Sequence, residues 1–226
     1  MILEVSGLVR RVIHHCPDKS HHKHFSENML PGDVLLEAPA SAGAVYQFQK
    51  RFSEFSHLAS RFSHVALYVG HGEIVHSMPT PSLDASLSGG VSKARLEDHL
   101  NTDTLYVVLR NPLVGEVHAA AIATSALNQI GIPYDYAGCI RAVGAVFRQR
   151  NILRKVRVGR PVPKNNKKER TSAEAGRALV CSDFVFVVFD EVFQSLNPCN
   201  VSGGRRYGLS TPSEFFENPN FMTVVI

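Results

Sequence analysis

A cysteine attacks as its thiolate, and two surroundings favour that form: a helix N-terminus and a nearby imidazolium. Cys181 is placed for the first. It precedes Ser182 and Asp183, residues suited to a helix's opening turn, and the apolar run Phe184 to Phe189 follows directly. A loop that becomes a buried helix at this point holds a thiol rigidly and leaves one side open, as a nucleophile requires. The other three cysteines, Cys16, Cys139 and Cys199, have no such setting, and the four together show no metal-site spacing. They are also too few for a disulfide framework in a chain of this length.

The base for such a thiol has to sit on a rigid element. His64 opens the segment Ser63-His64-Val65-Ala66-Leu67-Tyr68-Val69-Gly70, which reads as a strand with core-like Val65, Leu67 and Val69. His71-Gly72 is a tight-turn signal, and Glu73-Ile74-Val75-His76-Ser77 reads as the returning strand. Antiparallel pairing across that turn sets residues near 64 and 76 side by side at one end of the hairpin. His76 is therefore a candidate third group to fix the His64 imidazole, with Glu73 as the alternative.

The elements around this constellation follow from local signals. Pro31-Gly32-Asp33 is a turn, and Val34-Leu35-Leu36 a short strand. Residues 44 to 62 carry Val45, Phe48, Phe52, Phe55, Leu58 and Phe62 at helical spacing. Gly89-Gly90-Val91 leads to a short Leu96 to Leu100 helix, and Thr104 to Arg110 is a third clear strand. Val114 to Ile130 is an amphipathic helix closed by Gly131-Ile132-Pro133. A second helical stretch runs to about Leu153. The tail holds Thr211-Pro212, a short helix at Ser213 to Phe216, and a last strand near Thr223-Val224-Val225. The expected class is α+β with an antiparallel sheet packed against helices.

Composition narrows the classes of function. The chain has 226 residues, 44% hydrophobic and 19% charged, ample for one core. No apolar run approaches the roughly 18 residues of a membrane span, so stable membrane insertion is not expected. The first 15 residues lack the order of a signal peptide, so the chain is expected to be made in the cytoplasm and, if it acts elsewhere, exported without a cleaved signal. The net charge of +4 hides an asymmetry. Arg148 to Arg177 contain 11 Lys/Arg and 2 Asp/Glu, or +9, and the remainder has 13 and 18, or −5. The basic stretch has no interleaved aromatics, which favours a solvated loop over a nucleic-acid surface. The histidines His14, His15, His21, His22 and His24, with Cys16, match no standard zinc spacing, so neither a metal nor another cofactor is expected.

The order of these pieces resembles the circularly permuted branch of the NlpC-type papain-like superfamily, which includes YiiX-like bacterial proteins and, more distantly, the lecithin:retinol acyltransferase group. In that branch histidine precedes cysteine. Gly32-Asp33-Val34-Leu35 is similar to the opening strand, Ser63 to Gly70 to the histidine strand, and Ile74-Val75-His76-Ser77 to the strand of the third polar residue. Gly90-Val91, Val107 to Arg110 and Gly131 to Tyr136 follow in order. Cys181-Ser182-Asp183-Phe184-Val185 is similar to the Cys-Ser-Glu nucleophile motif, and Thr211-Pro212 with the final strand to the closing segment. The likeness spans about residues 31 to 226. It departs at two positions: His76 stands where YiiX-like members have glutamate, as in the acyltransferase-like group, and Asp183 where glutamate is common.

The resemblance implies a permuted papain-like catalytic domain over 31–226, a lead-in over 1–30, and a basic loop at about 154–177 inserted before the nucleophile. It implies Cys181 as nucleophile, His64 as base, His76 as third group, and Tyr134 lining the cleft. The implied reaction is hydrolysis of an amide in peptidoglycan peptide. A chain of this size and kind also resembles antibacterial effectors of the type VI secretion system, which implies a secretion-system component and an immunity protein as partners. Lipid acyl hydrolysis or transfer, and a catalytically inactive binding module, are the alternatives.

Overall fold

The structure is a computed structural model, and it describes residues 2–5, 9–12, 14–15, 19–39, 61–79, 89–137, 178–196, 211–218 and 221–224. The expected helix over 44–62 lies almost wholly outside these residues. So do the stretch after 137, the basic loop, and Cys16, Cys139 and Cys199.

In chain order the elements are β1 (Ile2–Val5), β2 (Val9–Val12), β3 (His14–His15), α1 (Lys19–Asn28), β4 (Val34–Pro39), β5 (His64–Gly70), β6 (Glu73–Met78), β7 (Gly90–Arg95), α2 (Leu96–His99), β8 (Thr104–Arg110), α3 (Glu116–Asn128), α4 (Cys181–Leu196), α5 (Pro212–Glu217) and β9 (Met222–Thr223). One sheet runs in the order β3-β8-β4-β5-β6-β7, with β9 paired to β8, and every pairing in it is antiparallel. The fold is mixed α+β with an antiparallel sheet and helices packed on it. β1 and β2 form a separate two-stranded ribbon.

Period-two alternation along the strands sorts side chains onto two faces. One face carries Val34, Leu36, Val65, Leu67, Val75, Val107 and Leu109, all buried, and packs against Phe184, Val185 and Val188 of α4 and Ile122 and Ala126 of α3. The other carries Leu35, Ala66, Tyr68, Ile74, Tyr106 and Val108, covered by Phe25 of α1, by Met29 just after it, and by Leu96 and Leu100. Each fully buried aliphatic or aromatic side chain stabilises the fold by roughly 1.5–3 kcal/mol. The segment 1–30, expected as a lead-in, therefore adds a strand to the sheet and two side chains, Phe25 and Met29, to its second core.

Two devices set the register. The β5–β6 hairpin turns through His71 and Gly72 with φ of 54° and 71°, the doubly left-handed backbone of a two-residue type I′ turn, which favours glycine strongly. At the same end of the sheet, where the Tyr68 N–H donates to its carbonyl, Asp33 is buried just before β4. Arg110, the last residue of β8, donates from Nε to Asp33 Oδ1 and from Nη2 to Oδ2, both at 2.7 Å. The Leu30 N–H donates to the same carboxylate at 2.8 Å.

β7 was not expected from the sequence. Gly90–Arg95 buries only Val91 deeply, so its pattern is too polar to read as a strand. Pairing against β6 from Glu73↔Arg95 to Met78↔Gly90 holds it in place.

Candidate active site

His64 is the first residue of β5, and Ala66, its neighbour on the same face, is paired with His76 of β6. This register brings the two imidazoles together: His64 Nε2 and His76 Nδ1 are hydrogen-bonded at 3.2 Å. The sequence expectation that the hairpin would set these two histidines side by side is what the structure shows. Glu73, the other candidate third group, sits at the turn end of the hairpin, and its carboxylate pairs with Lys93 at 2.8 Å.

Two residues that sequence reasoning missed complete the cluster. Glu37 of β4 stands opposite His64 in register and shares its face. His99, at the end of α2, donates from Nε2 to Glu37 Oε1 at 2.5 Å. The His99 ring lies 4.8 Å from that of His76 and 6.0 Å from that of His64, centroid to centroid. A signal for Glu37 was present: in Val34-Leu35-Leu36-Glu37 it shares parity with the core residue Leu35, so an inward carboxylate is implied. His99 carries no such signal, because only tertiary packing brings α2 over β6.

The charges follow from burial and neighbours. Burial pushes the His64 imidazole below its ordinary 6.5 more than the Glu37 carboxylate lifts it. Burial, with His64 and His99 beside it, pushes His76 down to about 3. Burial also works against His99, but the hydrogen bond and charge of Glu37 outweigh it and raise His99. Burial opposes ionisation of Glu37, and the imidazoles of His64 and His99 outweigh that too, so its carboxyl stays below the ordinary range. The directions of these shifts favour charge on Glu37 and His99 and disfavour it on His64 and His76.

Cys181 is the first residue of α4, as the sequence implied, and is buried with Ser182 and Asp183. The helix head is tied to the hairpin and to the segment after α3. The Ser77 hydroxyl donates to the Leu179 carbonyl at 2.6 Å, and the Leu179 N–H donates to the Pro133 carbonyl at 2.9 Å. Ser77 follows His76 directly, so Cys181 and the histidine pair belong to the same open end of the β5–β6 hairpin. They occupy different faces of it: Cys181 packs with Val65, Leu67 and Val75, and the histidines lie with Ala66 and Ile74. Tyr134 is half-buried in the segment that anchors the helix head, its ring edge-on to Tyr136 with centroids 5.0 Å apart, and its N–H donates to the Gly89 carbonyl.

No family model matches the chain, and no curated protein matches it. Among the described residues no helix is long and apolar enough to cross a membrane.

Proposed function

We propose that this chain is a cysteine hydrolase of the permuted papain-like, NlpC-type kind, which cleaves an amide bond in peptidoglycan peptide. The observation that carries the reading is the His64–His76 contact. When His64 Nε2–H donates to His76 Nδ1, the lone pair of His64 is left on Nδ1, facing away from its orienting partner. That tautomer is what a general base for a thiol needs, with a third group holding the ring. The burial that lowers the His64 pKa keeps the base unprotonated at neutral pH.

In the proposed reaction His64 Nδ1 takes the proton of Cys181, and the thiolate attacks the amide carbonyl. The C–N bond breaks as the imidazolium returns the proton to the leaving amine, and water then releases the acyl group from sulfur. The reading requires Cys181 Sγ and His64 Nδ1 to meet round the open end of the hairpin, where Ser77 already grips the helix head. Delivery as an antibacterial effector, with a secretion component and an immunity protein as partners, rests on the sequence resemblance alone. His76 in the third position also favours lipid acyl transfer as the second reading, tested by offering phospholipid in place of cell-wall peptide.

The test is digestion of purified peptidoglycan, with the fragments identified by mass spectrometry. Wild type is expected to release peptide fragments, Cys181→Ala none, and His64→Ala at least ~100-fold less. Identical fragments from wild type and Cys181→Ala sink the proposal. A wild-type protein inert on all substrates, whose Cys181 reacts with iodoacetamide no faster than Cys16, Cys139 and Cys199, is a binding module instead.

A further inference from the structure

We propose that His64, His76 and His99 form a binding site for a divalent transition metal, zinc foremost, with Glu37 as the carboxylate that orients His99. The three histidines come from three elements, β5, β6 and α2, and one ring nitrogen of each lies within 4.8 Å of the others. The closest pair is already at metal-ligand spacing. Two nitrogens bound to zinc at about 2.0–2.1 Å in a tetrahedron are roughly 3.3 Å apart, and His64 Nε2 and His76 Nδ1 are 3.2 Å apart. The His99 ring nitrogen completes the triangle within the same 4.8 Å.

The surroundings fit the same chemistry. A metal-bound histidine ordinarily gives its other ring N–H to a carboxylate or carbonyl, which fixes its orientation and strengthens it as a donor. His99 Nε2 is held in that way by Glu37, and Nδ1 is left for the metal. Three imidazoles with no thiolate select a borderline cation over magnesium or calcium, which favour oxygen. His64 and His99 are only part-buried, so an ion and a fourth ligand, water, have a way in.

This site is independent of the thiol reading and constrains it. A metal on His64 Nε2 displaces the hydrogen bond to His76, so occupancy takes the proposed base out of its orienting contact. The metal-loaded and metal-free chains then differ in whether His64 can serve Cys181.

Cobalt(II) titration of the metal-stripped full chain is the direct test, because tetrahedral cobalt has visible absorption bands that need no enzymatic activity. One equivalent is expected to bind with tetrahedral bands that zinc abolishes. Cys181→Ala should keep them, and so should a variant with His14, His15, His21, His22 and His24 replaced by glutamine. His99→Gln and His76→Gln should each weaken binding by at least ~10-fold and Glu37→Gln by ~10–100-fold, the usual effect of losing an orienting carboxylate. Bands that survive His99→Gln, or vanish with the amino-terminal histidines, overturn the assignment. If a histidine variant does not fold, NMR of the wild type decides. Zinc should move the ring-proton signals of three histidines together, and their failure to move overturns the site.

Discussion

Two buried carboxylates lie four residues apart at and on β4, and they are used in opposite ways. Asp33 is held by a fixed cation: it accepts two bonds from Arg110 and one from the Leu30 N–H, three of a carboxylate's roughly four acceptor sites. Glu37 is bonded to His99 and faces two more imidazoles, His64 and His76, whose burial disfavours their charged form. A carboxylate answered by a fixed cation stitches strands together and carries no chemistry. A carboxylate answered by a group that can lose its charge makes the neighbourhood responsive to protons and to metals. The difference between the residue that leads into β4 and the one within it is thus a difference in the partner's chemistry more than in burial.

The largest effect that tests this contrast is on stability. Asp33→Ala takes two hydrogen bonds from the part-exposed Arg110 guanidinium, which keeps its bond to the Asn28 carbonyl, and leaves the Leu30 N–H without its acceptor. The expected loss is roughly 3 kcal/mol, the low end for breaking a buried ion pair because Arg110 is partly exposed. The folded fraction should hydrolyse substrate at the wild-type rate. Glu37→Gln should cost less than ~1.5 kcal/mol, since an amide oxygen still accepts from His99. Urea melts that give both variants the same loss would erase the distinction.

The next effect is on rate. Glu37 lifts the His64 pKa, so Glu37→Gln should make the base weaker, lower kcat about 10-fold, and move the acidic limb of kcat/KM to lower pH. An unmoved limb would show that Glu37 acts on structure alone. A smaller effect appears in stability against pH. His64 and His76 resist protonation in the folded state and accept protons near 6.5 when unfolded. Their contribution is complete above about pH 6.5 and falls away as the pH drops toward each lowered folded-state value, about 3 for His76. His99 has the opposite sign: its contribution is complete below 6.5 and lost as pH rises through its raised value. Thermal melts from pH 7 to pH 4 should therefore show a falling melting temperature, flattened in His76→Gln. The smallest effect belongs to the exposed Lys93–Glu73 pair, where Lys93→Ala should change stability by less than ~1 kcal/mol.

The sequence carried the hairpin, the helix head at Cys181 and the α+β class, because each rests on a local pattern: period-two strands, a left-handed turn, and an apolar run after Ser182 and Asp183. It carried less of what depends on context. β7 is a polar edge strand held by its neighbour, and Gly90 is required there because a Cβ would stand 2.3 Å from the Ile132 carbonyl oxygen. His99 reaches the cluster through packing of a four-residue helix, which has no periodicity to read. The face on which each residue sits was legible in principle from parity. Applied to β4 and β5, parity sets Glu37 with His64 and separates both from the Val65 and Leu67 face that Cys181 joins.

The His71–Gly72 turn also orders events in time. Hairpins close in roughly 1–10 μs, and the contact between His64 and His76 spans only 12 residues. Cys181 lies 105 residues beyond His76 in the chain. At a synthesis rate of ~10 residues per second it is made about ten seconds later. All the residues of the histidine cluster, complete by residue 99, are therefore made well before Cys181 can dock against the hairpin. During that interval the growing protein carries the three histidines and Glu37 but lacks Cys181.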